Sequence, residues 1–227
     1  YEELGIKDPY YADDYVCILY GDCLKIMPQL KKESIDLVIT DPPYGINLNL
    51  EWLSDLHLSC STPPNKTDDI MQGDDGKLNL SFLFEYPKRC IWGFPYIFDN
   101  SATGWLVWDK QPGLLETDRT LTSPVEIASS TLWKGFRLVR CMWAGYLRPA
   151  GEVRFTHPTQ KPLKIIKYLI TGYTKTTDII LDPFLGSGTT CVAAKALNRK
   201  CVGIEIEERY AEIAAKRCNQ EVFDLES

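Results

Sequence analysis

Short apolar runs alternate with segments of helical spacing along most of the chain. Residues 35–40 form an apolar, β-branched run, which is typical of a strand covered on both faces. Further strands are predicted at 15–20, 90–92, 105–108, 179–181 and 201–206, and helices at 23–30, 162–171, 189–197 and 208–218. This alternation predicts an α/β fold with a mostly parallel sheet and helices on both faces.

Two stretches interrupt this pattern. Residues 46–80 are polar and show little periodicity, and a loop of this length in a compact domain is typical of a lid, a binding loop or a disordered segment. Residues 110–155 combine turn residues, tryptophans and basic residues, which indicates an insertion rather than another βα unit. A chain of 227 residues is about one and a half times the commonest domain size, so we expect a single domain over 1–227.

Cysteine and histidine usage favours a thiol-reduced protein without a metal. The eight cysteines show no C-x-x-C pair and only two histidines are present, so neither structural zinc nor a disulfide scaffold is expected. No apolar run approaches the roughly 20 residues that span a bilayer. The chain begins at Tyr1 without an initiator methionine or a signal segment, so we expect a trimmed, cytoplasmic protein.

Charge is unevenly distributed along the sequence. The whole chain carries a net charge of −6, yet residues 131–167 hold eight lysines and arginines against one glutamate, which is a local charge of +7. A basic face of this kind neutralises phosphates, although a solvated helix face has the same composition. The candidate phosphate-contacting residues are Lys134, Arg137, Arg140, Arg148 and Arg154.

A glycine turn between a predicted strand and a predicted helix is the first candidate site. Residues 181–190 read Leu-Asp-Pro-Phe-Leu-Gly-Ser-Gly-Thr-Thr, and such a turn lets a ligand approach the backbone. Glu205 ends the next strand 19 residues after Gly186, where a carboxylate can accept both ribose hydroxyls. The turn lacks the third glycine of the dinucleotide fingerprint and the lysine of a P-loop, but the flanking Asp182 and Glu205 favour an adenosine ligand without a phosphate chain. A tight turn made for packing is the alternative.

The second candidate is Thr40-Asp-Pro-Pro-Tyr-Gly45, at the end of a predicted buried strand. The two prolines fix the backbone and remove its donors, so the Asp41 carboxylate and the neighbouring carbonyls become rigid, unshared acceptors. Tyr44 adds an aromatic face beside them. Acceptors next to a stacking ring fit a planar group whose amino nitrogen acts as a nucleophile. A proline-rich turn with a capping aspartate is the alternative.

The third candidate, Thr156-His-Pro-Thr-Gln-Lys-Pro162, immediately precedes an amphipathic helix. Thr159 and Pro162 are explained by the start of that helix, which they would cap. A helix cap does not explain His157 or Lys161, and Lys161 is able to neutralise a carboxylate.

These residues resemble the β group of amino-methylating DNA methyltransferases, which use S-adenosylmethionine (AdoMet) to methylate adenine N6 or cytosine N4. The Asp41-Pro-Pro-Tyr44 motif, the motif at 157–162 and the loop at 182–190 follow the order of that group, a circular permutation of the usual methyltransferase order. The resemblance covers roughly 15–218. It implies a Rossmann-like, AdoMet-dependent methyltransferase fold in which 110–155 recognises the target sequence, and the segment 104–110 looks like small phage-encoded members.

The resemblance also implies residue roles. Asp41 and the carbonyl of Pro42 hold the target amino group, Pro43 completes that motif, and Tyr44 stacks on the base. The implied AdoMet-binding residues are Asp22, Asp41, Lys161, Asp182, Phe184, Gly186, Gly188, Thr189 and Glu205. Among these, Lys161 would meet the methionine carboxylate and Glu205 the ribose hydroxyls, whereas Asp22 is equally typical of a simple turn.

The implied substrate is double-stranded DNA whose target base leaves the helical stack, with no metal and no membrane partner. A restriction-modification context and a homodimer are both typical of the group. The Asp-Pro-Pro-Tyr form favours adenine N6, and cytosine N4 is the alternative. RNA base and protein glutamine methyltransferases also carry Pro-Pro-Tyr, but they usually place the cofactor loop before it. A non-catalytic DNA-binding partner subunit is the remaining alternative.

Overall fold

The structure, a computed structural model, describes residues 4–44, 78–113, 123–143 and 160–220. Two compact units divide the chain: the first comprises Tyr1–Thr40 with Leu163–Ser227, and the second comprises Asp41–Pro162. The predicted polar loop (46–80) and insertion (110–155) both fall within the second unit, and their residues 46–77, 114–122 and 144–155 lie outside the described residues. Nine strands occur in the described residues: β1 Tyr11–Ala12, β2 Val16–Tyr20, β3 Leu37–Thr40, β4 Arg89–Phe94, β5 Gly104–Asp109, β6 Val125–Ser130, β7 Gly135–Arg140, β8 Ile179–Asp182 and β9 Lys200–Glu205.

Four α-helices occur in the same residues: α1 Cys23–Ile26, α2 Leu163–Tyr173, α3 Thr189–Ala196 and α4 Glu208–Asn219. The predicted helix at 23–30 is shorter than expected, because Pro28 has no N–H to continue it and the chain turns into the 3₁₀ segment Met27–Gln29. None of the described helices is long and apolar enough to cross a membrane.

The first unit has the strand order β1-β2-β9-β8-β3. Only the short β1 is antiparallel to its neighbour, whereas the β2–β9, β9–β8 and β8–β3 pairs are parallel, as the alternating pattern predicts. Tyr20 pairs with Glu205, and Asp182 pairs with Gly203. Because parallel strands end at the same sheet edge, the turn after β2, the loop after β8 and Glu205 in β9 lie along one edge.

The helices of this unit bury their apolar faces. The buried side chains of α2 are Ile165, Ile166, Leu169 and Ile170. Their spacing places them on one face of the helix. Helix α3 packs against α2, α4 and β9, and its residues from Thr189 to Ala194 are all buried. The first unit therefore has an apolar core that is formed by the protein alone.

The second unit has the strand order β4-β6-β5-β7 and is mostly antiparallel. The β4–β6 and β6–β5 pairs are antiparallel, and β5–β7 is parallel. The strands predicted at 90–92 and 105–108 therefore do not continue the βα alternation. Trp92 and Trp108 are buried and contact each other edge to face. Trp105 is only half-buried and stacks on the exposed Phe136.

Candidate active site

Asp41 follows β3 directly in the chain, and two donors of the second unit hold its carboxylate. The Tyr44 hydroxyl donates to Oδ1 and the Lys161 ammonium donates to Oδ2, both through short hydrogen bonds. Pro42 and Pro43 are buried beside it. The expectation of unshared carboxylate oxygens is therefore wrong, because a buried carboxylate requires donors and this motif supplies them from within the protein.

Lys161 lies between two carboxylates. Besides its bond to Asp41, its Nζ is 3.1 Å from Oε2 of Glu126, and the Lys161 side chain is 7% exposed. Glu126 lies in β6, and its Oε1 accepts from Nζ of Lys110 at 2.9 Å. Asp41, Lys161, Glu126 and Lys110 thus form a charge-balanced group, which we call the ion cluster.

The ion cluster shifts the pKa values of its members. Burial opposes the charged forms of Glu126 and Lys161, but their opposite charges outweigh burial, lowering the pKa of Glu126 and raising that of Lys161. Burial raises the pKa of Asp41; Lys161 opposes that shift and Glu126 reinforces it. Burial and the Asp41 charge raise the pKa of Tyr44, so its hydroxyl stays protonated and donates.

A pocket of about 290 Å³ opens beside Tyr44 in the second unit. Its walls include the aromatic side chains of Tyr44, Phe84, Tyr96 and Phe98, together with Pro43 and Leu80. The rings of Tyr44 and Tyr96 are nearly parallel, 12° apart, with centroids 5.7 Å from each other. This volume is near the small end of the range for ligand sites, and aromatic walls suit a flat group.

Gly93 gives Tyr44 its position. It lies in β4 at φ +106°, where the β4–β6 register shifts, and a Cβ at this residue would lie 2.5 Å from the Tyr44 ring and 2.8 Å from Ile97. No other residue type leaves room for Tyr44 there.

In the first unit, the loop after β8 turns through two left-handed glycines. Gly186 has φ +55° and Gly188 has φ +86°, and helix α3 begins at the next residue. A Cβ at Gly188 would lie 2.6 Å from Cβ of Ala214 in α4. Close packing of α3 on α4 therefore explains Gly188 without a ligand, which is the alternative that the sequence left open.

Asp182 is buried and fully engaged within the first unit. It accepts from Oγ1 of Thr40 at 2.8 Å, from Oγ1 of Thr190 at 2.6 Å and from the N–H of Phe184 at 3.2 Å. These bonds tie β3, β8 and α3 together. Asp182 consequently shapes the loop through its own hydrogen bonds.

Glu205 has a different environment from Asp182. Its carboxylate accepts two backbone N–H groups, from Gly186 at 2.7 Å and from Glu207 at 2.8 Å, and it is 7% exposed. No lysine or arginine of the described residues pairs with it, and burial raises its pKa to about 7. A carboxylate accepts about four hydrogen bonds, so two acceptor positions are left for a ligand.

Two other residues border the glycine loop. Asp22 caps α1 by accepting from the N–H of Leu24, so the simple turn that the sequence allowed is present. Arg217 in α4 is buried and donates to the Ser187 carbonyl at 2.6 Å and to Oγ1 of Thr189 at 3.3 Å. Arg217 thereby fixes the tip of the loop.

Three of the predicted phosphate-contacting residues are described, and all three are exposed. Lys134 precedes β7, and Arg137 and Arg140 lie in it, beside the exposed Phe136 and Leu138. Arg137 lies over the ring of Trp133, 5.3 Å from its centroid, and Trp133 itself is buried. Outside the described residues lie Arg148, Arg154, Thr156, His157, Thr159 and most of the loop 46–80.

A family model described as DNA methylase, of the N6 and N4 type, matches residues 101–216, which is just over half of the chain. The chain belongs to this DNA methylase family. The predicted resemblance to amino-methylating DNA methyltransferases is confirmed.

Two curated relatives align over nearly the whole chain. The type II methyltransferase M2.LlaDCHI of Lactococcus lactis subsp. cremoris is 29% identical, over 93% of this chain and 92% of its own length. The DNA adenine methyltransferase YhdJ of Escherichia coli K12 is 27% identical, over 94% of this chain and 86% of its own.

Solved structures confirm the predicted methyltransferase fold. The M1.HpyAVI–SAM complex has a TM-score of 0.54 at 25% identity, over 89% of this chain and 99% of that one. The cytosine-N4-specific PvuII DNA methyltransferase has a TM-score of 0.61 at 17% identity, over 93% of this chain and 89% of that one. This chain therefore shares its fold with the protein of the SAM complex and with the cytosine-N4-specific enzyme.

Several residues of this DNA methylase were not predicted as site residues: Lys110, Glu126, Tyr96, Gly93 and Arg217. Glu126 carried a detectable signal, because it is a charged residue within an otherwise apolar and small strand pattern at 125–130. Tyr96 and Arg217 carried none, because their roles depend on contacts between elements that are distant in the sequence.

Proposed function

We propose that this methylase transfers a methyl group from AdoMet to the exocyclic amino group of a base in double-stranded DNA, and that the base is adenine. The observation that carries the proposal is the Asp41 carboxylate, which is fixed by two donors, one of which, Tyr44, also lines an aromatic pocket. Such an acceptor orients an amine, and aromatic walls position a ring. The roles given below to individual residues belong to this proposal.

AdoMet fits the residues of the first unit. Glu205 is a nearly buried carboxylate with acceptor positions left for two hydroxyls, which suits the cis diol of a ribose. The turn at Gly186 and Gly188 brings backbone close to this carboxylate. When bound, AdoMet supplies an electrophilic methyl group. We assign Glu205, Gly186 and Phe184 to cofactor contact, and Asp182, Gly188 and Thr189 to holding the loop.

Asp41 and Tyr44 orient the amine. The nitrogen lone pair of an exocyclic amine is delocalised into its ring, and a carboxylate that accepts an N–H favours the tetrahedral geometry in which that lone pair is available. Because Asp41 and its donors are fixed before substrate binds, little reorganisation is needed in the transition state. Tyr44 stacks on the ring of the base and, through its hydroxyl, holds Asp41.

The DNA backbone contacts are assigned to the exposed basic residues Lys134, Arg137 and Arg140, with Arg148 and Arg154 as further candidates. Phosphate contacts of this kind favour binding irrespective of sequence and offset the few kcal/mol needed to extrude a base. A homodimer stays a prediction.

Adenine N6 is favoured over cytosine N4 on two grounds. The motif begins with Asp41, and the resemblance to the amino-methylating group favours adenine for this form of the motif. One relative aligned over 94% of this chain is a DNA adenine methyltransferase. The pocket suits either base, so cytosine N4 is the second candidate.

The test is direct product analysis. Unmethylated duplex DNA of mixed sequence is incubated with the protein and AdoMet, digested to nucleosides and analysed by mass spectrometry, with the Asp41→Ala variant as the control. N6-methyladenine that is present in the wild-type sample and absent from the Asp41→Ala sample supports the proposal. N4-methylcytosine would overturn the base assignment and retain the reaction type, and methylated nucleosides in both samples would indicate contamination of the substrate.

A further inference from the structure

We propose that Glu126 is a positioning residue. It accepts the hydrogen bond of the Lys161 ammonium group in place of Asp41, which frees a carboxylate oxygen of Asp41 for the N–H of the target amine. The inference rests on the proposed function, because it adds a step to that same reaction. All the residues concerned lie in the second unit.

Asp41 is occupied on both oxygens in the arrangement that the structure shows. Tyr44 bonds to one oxygen and Lys161 to the other. An oxygen that holds an ammonium group is a poorer acceptor for a neutral amine, because the cation attracts its charge. The bond from Lys161 is therefore the one that competes directly with substrate.

Glu126 provides a second place for Lys161. Its Oε2 is buried and has no hydrogen-bond partner among the described residues, yet it lies 3.1 Å from Nζ of Lys161. A buried carboxylate oxygen without a donor is unusual, since such groups are normally bonded. A small reorientation of the ammonium group completes this bond and weakens the one to Asp41.

The surroundings keep Lys161 close to both carboxylates. Glu126 pairs with Trp108 across the β5–β6 ladder, and Lys110 holds its other oxygen, so the carboxylate is fixed. The Lys161 ammonium lies 5.4 Å from the centroid of the Trp92 ring, which adds a cation–π contact. With 7% of its side chain exposed, Lys161 has little access to bulk water as an alternative acceptor.

The exchange moves a hydrogen bond and leaves every proton on its own group. The two flanking carboxylates outweigh burial and raise the pKa of Lys161, so it stays an ammonium group in both positions. Removing Glu126 would take away one of the two anionic partners that Lys161 has among the described residues, and a buried cation does not readily leave the partner that remains.

The test compares Glu126→Gln with the wild type in steady-state methylation of unmethylated DNA. We expect kcat to fall about 10- to 100-fold, while AdoMet affinity and KM for DNA stay within about threefold. Glu126→Asp, which retains the charge, should recover part of the loss. Asp13→Asn is the matched control, because Asp13 holds Lys195 in a comparable ion pair of the first unit and should change stability without changing kcat.

A double-mutant cycle separates this role from a merely structural one. If Glu126 acts through Lys161, then Glu126→Gln should have little further effect on kcat in a Lys161→Gln background. Independent, multiplicative effects of the two changes would overturn the inference, as would wild-type kcat in Glu126→Gln. Inactivity of the wild type on DNA would instead overturn the proposed function, together with the step that rests on it.

Discussion

The ion cluster around Asp41 and the glycine loop around Glu205 hold carboxylates by opposite means. The negative charges of Asp41 and Glu126 are balanced by those of Lys161 and Lys110, and all four residues lie in the second unit. Glu205 is held by backbone N–H groups and has no counter-charge among the described residues, and its pKa rises to about 7. An ion pair is rearranged by moving one flexible side chain, whereas backbone donors are fixed by the fold. The first arrangement suits a group that must exchange partners, and the second suits a preformed cofactor seat.

The change with the largest expected effect removes the carboxylate of Asp41. Asp41→Ala leaves the target amine without its acceptor and Lys161 without its nearest partner, so methyl transfer should fall by about 10³-fold or more. AdoMet affinity should stay within several-fold, because Glu205, Gly186 and Phe184, the residues that we assign to cofactor contact, lie in the first unit. Single-turnover methylation and calorimetric titration with AdoMet measure the two effects. An equal loss of binding and turnover would contradict the assignment of Asp41.

Gly93 tests whether the position of Tyr44 matters apart from the charges. In Gly93→Ala the new methyl group would lie 2.5 Å from the Tyr44 ring, so the ring must move, and we expect kcat to fall about 10- to 100-fold. Gly113→Ala is the matched control, because Gly113 has a similar positive φ of +84° but open space around it. Both variants carry backbone strain, so equal losses of activity would show that strain alone is responsible.

The two units also differ in how much of their structure could be predicted from the sequence. The elements of the first unit follow the apolar pattern closely, because parallel strands buried on both faces, such as β3, produce continuous apolar runs. The antiparallel order of the second unit did not follow from its short strands, since pairing depends on contacts between distant segments. Motif residues were found by their local spacing. Glu126 and Gly93 become recognisable as site residues only when β4 and β6 are seen beside Asp41 and Tyr44.

The pKa of Glu205 gives a prediction of smaller size for cofactor binding. As pH rises through about 7, the carboxyl group becomes charged and accepts hydroxyl groups more strongly, so the affinity of the wild type for AdoMet should rise. Glu205→Gln should bind about 10-fold more weakly at pH 8, and the ratio of the two affinities should approach unity below pH 6. Titration calorimetry at both pH values measures this ratio. A ratio independent of pH would contradict a titrating contact.

Folding stability should also depend on the ionisation of Glu205, but in the opposite direction, so that it falls as pH rises. The folded protein retains the Glu205 proton up to about pH 7, whereas the unfolded chain releases it near 4.5. The free energy of unfolding should therefore decrease between those pH values, by about 3 kcal/mol at most, and level off above pH 7. Urea unfolding across this range measures the slope, and Glu205→Gln should flatten it. An unchanged slope in the variant would assign the pH dependence to other groups.

The smallest expected effect belongs to substitutions of the exposed basic residues of the second unit, which are part of neither the ion cluster nor the glycine loop. Lys134→Ala and Arg137→Ala should each weaken DNA binding several-fold, whatever the sequence, and each should lower the slope of log affinity against log salt by about one. Lys31→Ala is the control, because Lys31 is equally exposed but lies in the first unit. Fluorescence anisotropy with labelled duplexes at a series of salt concentrations measures these slopes. If all three variants share the wild-type slope, phosphate contact lies elsewhere on the protein and β7 has a different role.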